Sequence, residues 1–264
     1  MEFTRERTAD GVTERLFDLI VAGDRVPAVI WTPEGARGPR PLVLMGHGGS
    51  QHKKIGSLAA RARQYARRLG FATLAIDAPG HGDRISREKA MRLSKEVGER
   101  IRERRGIPPD LARTMAERTQ KGVPEWGAAL DAAQTLDFIG IGTVGYWGVS
   151  MGTAIGVPFV AAERRIGAAV FGLAGLRDGA RAMAEAAARI TVPIEFVFQW
   201  DDEVASRESG LALYDAFGSS QKTMHINPGG HLGIPTFEAE SWERFFVRHL
   251  GATQAATPAI AAAG

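Results

Sequence analysis

The pentapeptide Gly148-Val149-Ser150-Met151-Gly152 sets a serine between glycines at G-x-S-x-G spacing. A serine hydroxyl is a weak nucleophile, so the pattern carries chemistry only beside a base that takes its proton and donors that stabilise the attacked oxygen. Such a serine must sit on a sharp, strained turn, and side chains at Gly148 and Gly152 would collide with neighbouring backbone. A base is offered by Asn227-Pro228-Gly229-Gly230-His231, where a glycine-rich loop ends in an imidazole. Asp201-Asp202-Glu203 offers a carboxylate to hold the second ring nitrogen and stabilise the imidazolium. Successive side chains of an extended chain point opposite ways, so Asp201 and Asp202 cannot both reach one imidazole.

Each group follows a short apolar run of the kind that forms a buried strand. Thr143 to Trp147 precedes the serine, Ile194 to Trp200 precedes the carboxylates, and Thr223 to Ile226 precedes His231. Pro41 to Met45, Phe71 to Ile76 and Ala168 to Phe171 read the same way, while Glu14 to Thr32 alternates as a hairpin with a turn at Gly23-Asp24. Helical patterns lie between most of the runs. Leu58, Ala62, Tyr65, Ala66 and Leu69 share a face that Gly70 stops, and Phe237 to Leu250 forms a last helix. Ala154, Ile155, Val157 and Phe159 continue from the serine as a helix that Pro158 should kink or end. Short apolar strands alternating with amphipathic helices predict a mostly parallel α/β sheet of about eight strands, covered on both faces.

Residues 84–122 fall outside this rhythm. The segment carries twelve Lys and Arg against six Asp and Glu and lies between the fourth strand and a helix starting near Pro124. Leu93, Val97 and Ile101 recur at helical spacing, Gly106-Ile107-Pro108-Pro109 breaks the pattern, and Leu111 and Met115 begin a second stripe. It reads as a helical cap inserted in one domain spanning residues 1–251, with its charges facing solvent. Residues 252–264 read as a disordered Ala/Thr/Pro tail.

Composition narrows the rest. With 44% hydrophobic and 24% charged residues the chain can build a core, and a formal net charge of +3 without basic-aromatic tracts gives no footprint for nucleic acid. The absence of cysteine removes disulfides and thiolate chemistry. Residues 1–12 lack a signal-peptide pattern and no stretch suits a membrane span, so a cytoplasmic location is expected. His47, His52, His81, Asp77 and Asp83 could be imagined around a metal, but no H-E-x-x-H spacing accompanies them, and Asp77 reads as bonding loop amides. Lys53-Lys54 after a glycine-rich loop lacks the phosphate-loop spacing.

With strand, elbow and helix in place, the sequence resembles the α/β-hydrolase superfamily, in the group of dienelactone-hydrolase-like proteins and related esterases, over essentially the whole chain except the insertion and the tail. The resemblance implies the chain order nucleophile, acid, histidine, each on a loop after a successive strand. That order sets aside His47, His52 and His81 as the base, while His225 falls within a strand and His249 in the last helix. The group carries G-x-x-D at Gln199-Trp200-Asp201-Asp202, which selects Asp202 even though Gln199 replaces the glycine. The oxyanion donors implied are the N–H groups of Met151 and, from His47-Gly48-Gly49-Ser50, Gly49. The implied activity is ester hydrolysis of a small-molecule acyl substrate through an acyl-enzyme, with no cofactor. Amide, thioester, lactone or C–C cleavage, acyl transfer, and a non-catalytic binding relative remain alternatives. Dienelactone hydrolase itself uses a thiol, so Ser150 carries over the fold and triad but not that substrate.

Overall fold

The computed structural model describes residues 1–105, 108–177 and 179–251. Its strands are β1 (Arg5–Ala9), β2 (Val12–Val21), β3 (Asp24–Pro33), β4 (Leu42–Gly46), β5 (Ala72–Ile76), β6 (Val144–Val149), β7 (Ile166–Gly172), β8 (Ile194–Gln199) and β9 (Lys222–Asn227). The helices are α1 (Gly56–Gln64), α2 (Arg87–Arg102), α3 (Pro109–Ala133), α4 (Met151–Ala162), α5 (Arg181–Arg189), α6 (Arg207–Ala216) and α7 (Glu238–Leu250).

The strands form one sheet in the order β1-β2-β3-β5-β4-β6-β7-β8-β9. The β1, β2, β3 and β5 neighbours pair antiparallel, and from β5 through β9 all pairs are parallel. Alternation along each parallel strand feeds two cores. In β4, Leu42 and Leu44 face the layer holding Trp126, Leu130, Ile155 and Leu213 of α3, α4 and α6, while Val43 and Met45 face Leu58 and Ala62 of α1 and Trp242 and Phe246 of α7. The chain runs from α1 into a π turn, Tyr65–Leu69, that Gly70 ends at φ 71°.

The sheet has nine strands where about eight were expected. The extra one is β1, whose sequence Arg5-Glu6-Arg7-Thr8-Ala9 carries no apolar alternation because it is an exposed edge. The hairpin turn is Ala22-Gly23, one residue earlier than Gly23-Asp24, with φ of 49° and 85° and Val21 opposite Asp24. Both positive φ values match the tight turn that suits strand twist. Pro158 does not end its helix, since α4 continues to Ala162.

The insertion leaves β5 through a 3-10 turn at Gly82–Arg84 and enters α2, whose Leu93, Val97 and Ile101 are only half-buried. Arg100 pairs with Glu96 at 3.2 Å on the outer surface of α2. No separate helix starts near Pro124: α3 runs through it as one 25-residue helix. Packing overrides the proline, because Trp126, Ala129 and Leu130 are buried and a Cβ on Gly122 would lie 2.8 Å from Ile155 of α4. Arg84 locks the insertion to this helix with a paired contact to Glu125 at 2.7 and 2.8 Å. The Gly106-Ile107 part of the expected break and the 252–264 tail lie outside the described residues. No helix among the described residues is long and apolar enough to cross a membrane.

Candidate active site

Ser150 sits between β6 and α4 with φ 56° and ψ −117°. That region costs a non-glycine residue about 1–3 kcal/mol and persists only where neighbours over-determine it. Here they do. The Ser150 N–H donates to the Gly172 carbonyl at 2.8 Å, tying the elbow to β7. A Cβ on Gly152 would lie 2.5 Å from the Gly46 carbonyl oxygen, and one on Gly148 would lie 2.8 Å from Gly152. Thr153, buried one turn into α4, accepts from the Gly172 N–H at 2.9 Å and places its hydroxyl 2.7 Å from the Gly172 carbonyl and 2.8 Å from that of Gly148. Its signal in the sequence was a lone polar residue in an otherwise apolar helix, three positions after the serine.

His231 arrives from the loop after β9. Its Nε2 lies 2.9 Å from Ser150 Oγ, and its Nδ1 lies 2.9 Å from each oxygen of Asp202. The imidazole and carboxylate are both buried. Burial pushes the Asp202 carboxyl up, but the hydrogen bond and charge of His231 and the amides of Ala205 and Val204 outweigh it and leave the group below its ordinary range. Those amides donate to Asp202 Oδ1 at 3.0 and 2.7 Å. An acceptor-only Asp202 requires the proton on Nδ1 and leaves Nε2 free to accept from the serine.

Strand alternation does not separate the two aspartates as expected. β8 ends at Gln199, and a turn closed by the Asp202 N–H on the Gln199 carbonyl, 3.2 Å, swings Asp202 inward. Asp201 stays outside, accepting from the Gly229 N–H at 3.3 Å and pairing with Arg207 at 3.3 Å. Glu203 takes a role the sequence reading did not assign. Its Oε2 accepts the His231 backbone N–H at 2.8 Å, and a Cβ on Gly230 would collide with its carboxylate. Three consecutive acidic residues therefore brace the histidine loop, orient the ring and hold the ring's own backbone.

On the other side of Ser150, β4 ends beside β6 with Gly46 opposite Gly148, which brings His47-Gly48-Gly49-Ser50 to the elbow. The Gly48 N–H is taken by Gln51 Oε1 at 3.1 Å. Gly49 has open space around it. Met151 is the first residue of α4, where a backbone N–H has no partner within the helix. His47, set aside as a base, fixes this loop. Its Nε2 accepts the Ala78 N–H at 3.0 Å and its Nδ1 therefore donates to the Gly48 carbonyl at 2.9 Å. Burial holds its pKa below the ordinary value, consistent with a neutral ring. Asp77 bonds the amides of Lys53 and Asp83 at 2.8 and 2.9 Å. The Lys53 ammonium lies between Asp77 and Asp83, at 2.7 and 2.5 Å.

No protein-family model matches the sequence, and no curated protein matches it. Solved structures do. A cold-adapted esterase from an Arctic intertidal metagenomic library superposes with a TM-score of 0.80 at 34% identity, over 95% of this chain and 100% of that one. Acetyl xylan esterase from Paenibacillus sp. R4 shares the fold at a TM-score of 0.69 and 15% identity, over 94% and 88% of the two chains. Dienelactone hydrolase from Anabaena variabilis ATCC 29413 does so at 0.62 and 19%, over 91% and 99%. On its identity to the Arctic esterase across that enzyme's full length, the chain belongs with it among the α/β-hydrolase carboxylic-ester hydrolases, and it shares their fold with dienelactone hydrolase.

Proposed function

We propose that the protein cleaves carboxylic esters through an acyl-enzyme formed on Ser150. The observation that carries this reading is the unbroken hydrogen-bond path from Ser150 Oγ through both nitrogens of His231 to Asp202, each step at 2.9 Å. Ser150 Oγ attacks the acyl carbon while His231 Nε2 takes its proton. The oxygen becomes an oxyanion between the N–H groups of Met151 and Gly49, a kind of contact worth about 3 kcal/mol per donor in comparable sites. Collapse passes the proton from His231 to the departing alcohol, and water repeats the cycle to release the acid. Asp202 keeps the Nδ1 proton in place and stabilises the transient imidazolium, without accepting the proton itself.

The insertion of residues 84–122 fits this reading as a cap. It leaves the carboxyl end of β5, the same edge from which the loops of Ser150, Asp202 and His231 emerge. Arg118 of α3 lies against Gly80, and the His81 ring beside it packs on His47 at a tilt of 59° with centroids 5.4 Å apart, so α3 reaches the back of the oxyanion loop.

A chromogenic acetate ester tests the mechanism. Stopped-flow mixing should give a burst of alcohol approaching one equivalent wherever deacylation is the slower step, and acid quenching should leave one acetyl group, located by peptide mass at Ser150. An acetyl group on any other residue would overturn it. The pH profile of kcat/KM gives a second check. Protonated His231 cannot accept the serine proton, so the rate falls on acidification along a limb of slope one. Asp202 is held below the ordinary carboxylate range and stays ionised across that limb. A slope of two, or a flat rate down to about pH 4, would contradict a histidine base oriented by an ionised carboxylate.

A further inference from the structure

On the far side of the sheet from α3 and α4, three ligand-type side chains converge where β8, β9 and α7 meet. Val197 packs in the layer beneath α7, so Glu195, two residues earlier in β8, shares its face, as does His225, which stands opposite Val197 in β9. Glu238 is the first residue of α7 and is buried. One ligand-type atom from each of Glu195, His225 and Glu238 lies within 4.8 Å of the other two. His225 Nδ1 is 2.8 Å from Glu238 Oε2 and 3.7 Å from Glu195 Oε1. These separations span those between ligands that share one ion at about 2.0–2.2 Å.

The observation that points to a ligand is Glu195. Its residue is 5% exposed, and its Oε1 has no hydrogen-bond partner. A buried carboxylate oxygen without a donor is costly, and a cation beside it would remove that cost. Glu195 Oε1 lies 3.7 Å from His225 Nδ1, while Ser241 hydrogen-bonds to the same carboxyl group. Glu238 Oε1 is meanwhile held by the Asn227 amide at 2.8 Å, which leaves Oε2 aimed at the same point. Such support behind a ligand is what orients metal carboxylates. Glu195 and His225 also line an open groove of about 550 Å³, a route by which an ion and its waters could enter.

We propose that Glu195, His225 and Glu238 form a site for a divalent transition-metal ion such as Zn²⁺, separate from the Ser150 centre, that clamps β8 and β9 to the start of α7. One imidazole and two carboxylates suit zinc, cobalt or manganese better than calcium, which takes oxygen ligands only. Binding takes Nδ1 as the ligand, so the single proton of the neutral imidazole, placed on Nδ1 by its contact with Glu238, shifts to Nε2. Arg244 and Arg248 on the rim of the same groove oppose a cation, and they set the alternative in which an arginine neutralises Glu195 instead. The clamp would act on the two strands whose ends carry Asp202 and His231.

Full-length protein stripped with EDTA and titrated with Zn²⁺ should bind one equivalent, and at a hundredfold excess over Kd its Tm should rise by roughly 5 °C or more. Co²⁺ in place of Zn²⁺ should give a visible absorption band of a low-symmetry site with nitrogen and oxygen ligands. Both signals should vanish in Glu195→Gln and His225→Gln and persist in His52→Gln. The wild-type cobalt spectrum and stoichiometry stand whether or not the variants fold. No bound equivalent and no Tm shift in the wild type would overturn the proposal. So would binding that survives Glu195→Gln but is lost in His231→Gln, which would put the ion at the catalytic histidine.

Discussion

Ser150→Ala is expected to lower kcat for ester hydrolysis by about 10⁶-fold while the protein stays folded. The loss is large because the proposed mechanism makes the hydroxyl the attacking atom and no neighbour replaces it. The stability change is small for a reason visible in the contacts. What fixes the elbow is backbone, namely the Ser150 N–H on Gly172 and the close approach of Gly152 to Gly46, and both remain when only Oγ is removed. Alanine at φ 56° carries the same strain as serine, so the substitution neither relieves nor adds to it. The Oγ loses a single partner, His231. Tm should therefore stay within a few degrees of the wild type. A fluorophosphonate probe should label the wild type once, at Ser150, and leave the variant unlabelled. Activity retained in the variant, or label on another residue, would remove Ser150 from the mechanism.

What could be read without coordinates follows from the range of the forces involved. The parallel strands announced themselves because burial on both faces demands continuous apolar runs, as in Leu42 to Met45 and Ala168 to Phe171. β1 did not, because an edge strand of Arg, Glu and Thr has no such demand. The glycines of the elbow carried a local steric signal, whereas the continuity of α3 through Pro124 depends on packing against α4, which sequence spacing does not encode. The same holds around the site. Ser150 and His231 stood on loops of recognisable form. The contributions of His47, Thr153 and Glu203 are hydrogen bonds to backbone groups as far as 31 residues away, fixed only once strands are ordered. Glu195, His225 and Glu238 are scattered over three elements and share no motif at all.

The second large effect separates Asp202 from Asp201. Asp202→Asn should lower kcat by about 10⁴-fold with KM little changed, and Asp201→Asn by less than about threefold. The asymmetry follows from which oxygens are already committed. Asp202 Oδ1 accepts the amides of Val204 and Ala205, and an asparagine in its place keeps its oxygen on those two donors. Its amide nitrogen then faces His231 Nδ1. Two N–H groups cannot point at each other, so the imidazole moves its proton to Nε2, which then donates toward Ser150 instead of accepting from it. The base is lost with the geometry intact. Asp201 has no such leverage. Its oxygens bond the exposed Gly229 amide and Arg207, and an asparagine oxygen still serves the amide while Arg207 keeps its hold on the Trp200 carbonyl at 2.8 Å. Measuring kcat and the acid limb of the pH profile in both variants distinguishes the roles. A large loss in Asp201→Asn with near-normal Asp202→Asn would transfer the orienting role to Asp201.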